Sequence, residues 1–258
     1  GADAVAEEGR GVLPIAPPLP EPAARRPAAA APWTWGSEAM DRVLSARICA
    51  CDSLPSLRRL SVPLAEVSAW DGARAASLGA WLIWMVHRVF LNDPDLKVLD
   101  LSALPLPTAD AEPRIGPKLF SALAYNTHLE RLALGDCNLL GDVHAEALAK
   151  SLRRNRRLRV LDISSNRLEP ADLAAIFASL ADNASLEELR CGNQFSDEQV
   201  GADELQTLHN ALCKNTRLRK LGLELDERHW RDQVTRMLIR NVDIARKRRK
   251  AGRRRQTQ

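Results

Sequence analysis

The chain lacks the cysteine pattern of a disulfide-stabilised or zinc-binding protein. Its 258 residues contain only five cysteines, widely spaced, and an odd number cannot pair completely. Cys49 and Cys51 lie close together, but no second pair follows at the spacing that a zinc site needs. We therefore expect a protein of a reducing, intracellular compartment, without a metal site.

Long apolar runs are absent as well. A membrane-spanning helix needs about 20 apolar residues, and the most apolar stretch, Leu78–Leu91, is interrupted by His87 and Arg88. The first residue is glycine rather than methionine, and acidic residues near it argue against a secretory signal or a transit peptide. We expect a fragment or a processed chain that is soluble and cytoplasmic and has no membrane contact.

Catalytic signatures are the third absence. The five histidines form no H-E-x-x-H motif, and neither G-x-S-x-G nor G-x-x-x-x-G-K-[ST] occurs. Nothing in these patterns indicates an enzyme or a bound cofactor. We therefore expect a protein that binds a partner without catalysis.

What the chain does contain is a leucine-rich repeat. Leu158–Leu168 has the sequence L-R-V-L-D-I-S-S-N-R-L and matches the pattern L-x-x-L-x-L-x-x-N-x-L in full. A second copy begins at Leu129, and shorter copies begin at Leu96, Leu186 and Leu218. In such a repeat a short strand is followed by a helix, and each repeat packs on its neighbours. The predicted fold class is α/β: a right-handed solenoid of about six repeats, with inner parallel strands and outer helices.

Composition divides the chain into four segments. Residues 1–32 are rich in Ala and Pro and hold too few bulky apolar residues to offset the entropy of ordering, so we expect a disordered leader. Residues 33–91 are predicted to form an N-terminal capping helix and a degenerate first repeat. Residues 92–245 are predicted to hold the leucine-rich repeats, and residues 246–258 a disordered basic tail.

A strongly apolar helix is predicted over Gly72–Leu91. Its apolar residues, Trp81 and Trp84 among them, cover more than one face, so either the leader or a partner must cover them. Trp81 and Trp84 are therefore a candidate apolar docking surface, and burial within the chain is the favoured alternative. The strand of the degenerate first repeat is predicted from the apolar spacing of Leu54, Leu57, Leu60 and Val62.

One asparagine precedes each predicted strand and sets the phase of the repeats. These residues are Asn92, Asn126, Asn155, Asn183 and Asn215, with Asn241 closing the series. The helices between them are predicted over Glu112–Ala124, Asp142–Arg153, Pro170–Ala181, Gln199–Cys213 and His229–Arg240. Cys137 and Asn166 occupy the repeat position whose side chain bonds the turn after a strand, so we predict a structural role for both.

The surface formed by the strands is predicted to be polar. Side chains alternate along a strand, so the residues between the core leucines point outward. This places Asp162 beside Arg190 and Glu188 beside Lys220, where the charges neutralise one another sideways. No aromatic residue is predicted on this concave face, and tight interfaces are usually anchored by Trp, Tyr or Arg. We expect a weak or polar contact surface.

Basic residues are concentrated at one helix end and in the tail. At the helix end, a cap stabilised by the helix dipole is the alternative to a binding edge for an acidic partner. The tail has eight Lys and Arg residues and no acid between residues 246 and 255. It also lacks the aromatic residues that stack on bases, so a solvated tail, a nuclear-import signal and a polyanion contact stay open. The candidate partner-binding residues are Arg153, Arg154, Arg156, Arg157, Arg159, Arg190, Lys214, Arg217, Lys220, Arg246, Lys247, Arg248 and Arg249.

Four strings in the second half of the chain match one kind of repeat domain. They are S-N at Ser165–Asn166, N-x-S-L-x-E-L-R-x-x-N-Q from Asn183 to Gln194, K-N-T-x-L-x-K-x-G from Lys214 to Gly222 and N-x-D-I-x-R-K-R-R from Asn241 to Arg249. Together they resemble the leucine-rich-repeat domain of tropomodulin and leiomodin, the actin pointed-end proteins. The resemblance does not extend to the family's N-terminal helices, which bind tropomyosin and a first actin monomer.

This resemblance implies a non-catalytic protein-interaction module, tropomodulin-like and associated with actin or the cytoskeleton, with actin as the first partner to test. The alternative is a scaffold subunit of a larger assembly, whose basic tail contacts RNA or another polyanion in the cytoplasm or the nucleus. The oligomeric state stays open at this point.

Overall fold

The computed structural model describes residues 42–60, 62, 75–196 and 198–256. The predicted leader, residues 1–32, lies outside these residues, and so does the predicted helix start at Gly72. The chain divides after Pro32, and all described residues belong to the unit Trp33–Gln258. Within the described ranges, no helix combines the length and the apolar content that crossing a membrane requires.

A parallel sheet of five strands forms one layer of the described structure, and helices form the other. The order of the strands in the sheet follows their order in the chain. Helices connect them, because parallel neighbours need a crossover connection. The strands are Val98–Asp100 (β1), Arg131–Ala133 (β2), Val160–Asp162 (β3), Glu188–Arg190 (β4) and Lys220–Gly222 (β5). The helices are Arg42–Cys49 (α1), Leu54–Arg58 (α2), Ala75–Phe90 (α3), Gly116–Leu123 (α4), Glu146–Arg154 (α5), Pro170–Ser179 (α6), Ala202–Lys214 (α7) and Arg228–Gln256 (α8), and a π-helical turn, Gly141–Ala145, precedes α5.

The predicted core phase of the strands is confirmed. Leu132, Leu161 and Leu189 are aligned across β2, β3 and β4, and all three side chains are fully buried. The residues on either side of each leucine point away from the core. In register, Asp162 is the neighbour of Arg190 and Glu188 the neighbour of Lys220, as the alternation of side chains predicted.

The strand predicted for the degenerate first repeat is wrong. Leu54–Arg58 forms helix α2, with Leu57 buried. Pro55 lies in its first turn, where the missing N–H of proline does no harm. Leucines three residues apart fit one face of a helix as well as they fit the repeat pattern, so the spacing alone did not distinguish the two.

Buried asparagines join the repeats at the turns that lead from each helix to the next strand, which we call the descending turns. The side-chain amide of Asn155 donates to the carbonyl oxygens of Leu123 and Asn126, at 2.6 and 3.2 Å. Its oxygen accepts from the backbone N–H groups of Arg157 and Leu158, at 2.8 and 2.7 Å. Corresponding bonds are made by Asn126, Asn183 and Asn215. Each asparagine thereby satisfies backbone groups that the helix end leaves unpaired.

In the first repeat this buried position belongs to Asp93, not to the predicted Asn92. The Asp93 side chain is 1 % exposed and lies between two arginines, at 2.9 Å from Arg58 and 2.7 Å from Arg88. Burial raises the pKa of this carboxyl group, but the hydrogen bonds from Arg88 and the backbone N–H of Asp95, together with the charges of Arg88 and Arg58, outweigh it, so the pKa of Asp93 is lowered. The pair of arginines thus connects α2 and α3 to the first repeat.

A second set of side chains holds the loops that lead from each strand to the next helix, which we call the ascending loops. The oxygen of Asn166 accepts from the backbone N–H groups of Cys137 and Leu139, at 3.0 and 2.9 Å. The thiol of Cys137 donates to the carbonyl oxygen of Leu101 at 3.0 Å. Gln194 takes the corresponding position one repeat later. Cys137 and Asn166 therefore have the structural role that their repeat position predicted.

Helix α8 covers the end of the array. Trp230 is buried, and the amide of the buried Asn241 donates to the carbonyl oxygens of Asn215 and Leu218, at 3.1 and 2.8 Å. The Arg240 guanidinium donates to the carbonyl oxygens of Leu212 and Asn215, at 2.6 and 2.7 Å. It thereby caps the C-terminal end of α7, where unpaired carbonyls and the helix dipole favour a cation.

Helix α8 continues to Gln256, through the tail for which we predicted disorder. Lys and Arg form helices readily, and cations in the last turns interact favourably with the helix dipole. Because the first half of α8 is already held against the last repeat, the tail only has to extend an existing helix. Residues 246–256 are therefore helical.

Helix α3 lies in the core of the N-terminal part. It packs against α1 and α4, and Leu82 and Ile83 are fully buried. Trp81 is 8 % exposed, and Trp84 is partly buried, with the Arg88 guanidinium 5.0 Å from its ring centre. Burial within the chain, the favoured alternative for these tryptophans, is confirmed for Trp81.

Candidate partner-binding surface

The concave face carries paired charges. The Arg190 guanidinium lies 2.7 Å from Glu188 and 3.7 Å from Asp162, and the Lys220 ammonium lies 3.4 Å from Glu188. Partial burial raises the pKa of the Glu188 carboxyl group, but these two cations outweigh it, and its pKa is lowered. The predicted sideways neutralisation is confirmed, so Arg190 and Lys220 present little free charge to a partner.

A column of alternating charge runs along the residues that precede the strands. Its members are Lys97, Glu130, Arg159, Glu187 and Arg219. Glu187 accepts a hydrogen bond from Arg159 at 2.9 Å and pairs with Arg219 on its other side, and Glu130 pairs with Arg157. Arg157 and Arg159, two candidate binding residues, thus form ion pairs between repeats. Exposed pairs of this kind stabilise a fold by about 0–1 kcal/mol each.

Three neighbouring guanidinium groups remain directed at solvent: Arg153, Arg154 and Arg156. Arg154 donates to the hydroxyl of Tyr125 at 2.7 Å, and Arg156 donates to the carbonyl oxygen of Arg153 at 2.7 Å. These partners are a phenol and a carbonyl, so the contacts orient the arginines without neutralising their charge. We call Arg153, Arg154 and Arg156 the basic edge.

The other predicted basic residues lie at the corresponding turn two repeats later. Arg217 donates to the carbonyl oxygen of Ala184 at 2.8 Å, and Lys214 is the last residue of α7. At the same turn, the guanidinium of Arg248 lies 3.4 Å from the hydroxyl of Thr216. The structure therefore brings the start of the basic tail next to the last descending turn.

Exposed aromatic residues were missed by the sequence analysis. Tyr125 is 70 % exposed, and the Arg154 guanidinium lies 5.9 Å from its ring centre. Phe195 is 63 % exposed on an ascending loop. Tyr and Arg are the residue types that most often anchor interfaces, so Tyr125 adds contact area to the basic edge. The available signal was its position: Tyr125 directly precedes Asn126, as Arg154 directly precedes Asn155 one repeat later.

The buried thiols are unreactive. Burial raises the pKa of Cys137 and of Cys191 to about 12, so both stay protonated at neutral pH. His87 is also buried, with Nε2 at 2.8 Å from the carbonyl oxygen of Cys51, and burial lowers its pKa. In the part of the chain that the structure describes, no three metal-ligating side chains come together. What the described surface supplies is positive charge and contact area.

Comparison with known proteins identifies relatives of the repeats. A family model of the TMOD/LMOD leucine-rich domain matches residues 84–244. Leiomodin-3 of Mus musculus is 30 % identical over 189 residues, which are 73 % of this chain and 31 % of that protein. Tropomodulin-4 of Mus musculus is 28 % identical over 170 residues, 64 % of this chain and 46 % of that protein. The chain thus spans less than half the length of these relatives.

Two solved structures are similar over nearly their whole length. The structure of actin-binding site 2 of leiomodin-1 matches with a TM-score of 0.60 and 30 % identity, covering 67 % of this chain and 95 % of that structure. The C-terminal domain of tropomodulin from Caenorhabditis elegans matches with a TM-score of 0.58 and 25 % identity, covering 64 % of this chain and 96 % of that structure.

Proposed function

Because the chain belongs to the family of TMOD/LMOD leucine-rich domains, we propose that it is a non-catalytic binding module associated with actin and the cytoskeleton. The observation that carries this proposal is its similarity to actin-binding site 2 of leiomodin-1, over 95 % of that solved structure. The partner is therefore actin, and the repeats are the part of the chain that binds it.

We assign the contact to the basic edge and Tyr125. Arg153, Arg154 and Arg156 are exposed and keep their charge, whereas Arg190 and Lys220 are paired on the concave face. An edge that combines guanidinium groups with an exposed phenol ring suits an acidic protein surface, because arginine bonds carboxylates through two N–H groups at once.

The expected affinity is modest. One small, polar interface without a buried aromatic anchor typically gives micromolar binding. Contacts between exposed charges are screened by salt, so binding should weaken as the ionic strength rises. We therefore expect co-sedimentation with actin filaments at low salt, with a dissociation constant on the order of micromolar.

The test compares two triple charge reversals in a filament co-sedimentation assay at low salt. R153E/R154E/R156E should raise the dissociation constant by tenfold or more, since it replaces the whole basic edge by acid. The matched control R47E/R59E/R228E reverses three exposed arginines on or beside α1, α2 and α8, away from the edge in sequence. It should bind like the unmodified chain.

Two results would contradict the proposal. Absence of binding by the unmodified chain at tens of micromolar would exclude actin as the partner. Equal losses in both triple variants would retain actin but remove the basic edge as the contact. Thermal unfolding of each variant separates lost binding from lost folding.

A further inference from the structure

Helix α8 is longer than the surface on which it packs. Trp230, Val234 and Asn241 are buried against the repeats, but every side chain from Arg246 to Lys250 is exposed. Asp243, which lies 3.5 Å from the Arg246 guanidinium, is the last acidic residue of the sequence. We call Arg246–Gln256 the arm.

One side of the arm faces the repeats. The Arg248 guanidinium lies 3.4 Å from the Thr216 hydroxyl, which places the Arg248 side of the helix next to the last descending turn. Successive residues of an α-helix are turned by about 100°. The other cations of the arm with described side chains are Arg246, Lys247, Arg249, Lys250 and Arg253. By this rotation they share a face about 160° wide that is directed away from the side of Arg248.

The positions on this face are distinct. Lys247 and Arg249 lie at its two margins, about 160° apart, whereas Lys250 and Arg253 lie between the margins, about 20° and 40° from the centre of the face. The described cations occupy eight residues of helix, a length of about 12 Å. Like charges three and four residues apart repel one another. A partner with closely spaced negative charge would relieve this repulsion.

The width of the basic face distinguishes between a flat partner surface and a groove. When a helix lies on a flat acidic surface, the cations at the centre of its face contact that surface. The cations at the margins point sideways and make little contact. The uncharged residues between the cations are Ala251 and Gly252, so the arm has no apolar side chain to insert into a membrane. It also has no aromatic residue on which single-stranded bases could stack.

A groove with two charged walls fits all these features. The major groove of duplex DNA is about 12 Å wide and admits an α-helix, and a phosphate backbone runs along each side. Duplex DNA carries one negative charge per about 1.7 Å of its length, which is close to the spacing of the cations on the arm. Cations at both margins of a helical face then reach both backbones.

We propose that the arm binds the major groove of duplex DNA without sequence specificity. Contacts to phosphates carry the affinity, with Lys247 and Arg249 on opposite walls. The proposal uses residues outside the basic edge and does not depend on actin binding.

The test measures binding of the full-length chain to a fluorescent DNA duplex of about 20 base pairs between about 50 and 200 mM salt. Each phosphate contact contributes about −0.9 to the slope of log K against log salt, so the contacts of Lys247 and Arg249 together account for about −1.8 of the slope. The two variants are matched, because each neutralises one lysine and one arginine. K247Q/R249Q should reduce the steepness by about 1.8, and K250Q/R253Q should reduce it by clearly less.

The comparison of these variants decides the proposal. A larger effect of K250Q/R253Q would indicate a flat partner surface and overturn the groove assignment. Equal or tighter binding to a single strand, to an RNA duplex or to phosphatidylserine vesicles would overturn it as well, and so would no binding to the duplex at 50 mM salt. The actin assay is separable, since K247Q/R249Q leaves the basic edge intact.

Discussion

The descending turns and the ascending loops both join neighbouring repeats through side-chain hydrogen bonds, but they use different residues to do so. At the descending turns an asparagine is used in each repeat from Asn126 to Asn215, and its amide bonds the backbone of the neighbouring repeat. At the ascending loops the corresponding position is held by Cys137, then Asn166, then Gln194. One side of the array is uniform and the other is variable.

Loop length accounts for the difference. From Asn126 onward, each descending turn places a core leucine three residues after the asparagine, so the same amide fits every time. The ascending loops differ in length: β3 and α6 are separated by 7 residues, from 163 to 169, whereas β4 and α7 are separated by 11, from 191 to 201. A backbone of changing path needs side chains of different reach. The uniform turns therefore give every repeat the same bonding to its neighbour, whereas the variable loops differ in length and in the residue that bonds them.

The largest loss of stability is expected in strand β3, which connects a descending turn to an ascending loop. Leu161 is fully buried in β3, between the turn of Asn155 and the loop of Asn166. Leu161→Asp places a carboxylate in the core and should lower the free energy of unfolding by several kcal/mol, against a total of about 5–15 kcal/mol. We expect a large fall in the thermal midpoint by circular dichroism. An unchanged midpoint would mean that the core phase is misassigned.

Removing a uniform turn should have the next largest effect. Asn155→Ala deletes four hydrogen bonds and leaves buried backbone groups unpaired, which should lower the free energy of unfolding by about 2–4 kcal/mol. The control is Asn92→Gly, because Asn92 is only partly buried, bonds Thr127 and has a positive φ of 55° that glycine adopts without strain. Urea unfolding measures both. Equal losses would show that the buried asparagines of the descending turns contribute no more to stability than a partly buried one.

A variable loop should tolerate more. Gln194→Ala removes bonds to the carbonyl oxygens of Ile163 and Cys191 and to the N–H of Leu168, all between 3.0 and 3.2 Å. Gln194 is only half-buried, so water can replace part of them, and the loss should be about 1–2 kcal/mol. A loss in urea unfolding greater than that of Asn155→Ala would reverse the ranking of the two sides.

The smallest effect is expected at the surface of a descending turn. Arg157 pairs with Glu130 through its side chain. Its backbone N–H donates to the side-chain oxygen of Asn155, and alanine retains this bond. Arg157→Ala should therefore change the free energy of unfolding by no more than about 1 kcal/mol. Urea unfolding in parallel with Asn155→Ala checks this. If Arg157→Ala lowered the free energy of unfolding as much as Asn155→Ala does, the ion pair rather than the asparagine would be the main stabilising contact of this turn.

Much of the repeat region was predictable because its pattern is local. The spacing of Leu158, Leu161 and Ile163 fixes which residues are buried, and alternation along β3 places Asp162 next to Arg190. The pattern failed at Leu54–Arg58, where spacing by three is shared by helix and repeat, and at Asn92, where one extra residue moves the buried position to Asp93. The candidate site was predicted only as a set of basic residues. Tyr125 was missed, because the position before the asparagine is not part of the leucine-rich pattern, although it lies at the same surface as Arg154 one repeat later.

The sequence by itself determined the repeats, the residues that face the core and the sign of the charge in the tail, since these depend on periodicity and composition. Only the tertiary structure decided which arginines are available. Arg157 and Arg159 pair with carboxylates of neighbouring repeats, Arg240 caps α7, and Arg153 remains exposed. The physical reason is that a guanidinium is engaged only by polar groups within a few ångströms, and for Arg157, Arg159 and Arg240 these groups belong to residues 25 or more positions away in the chain.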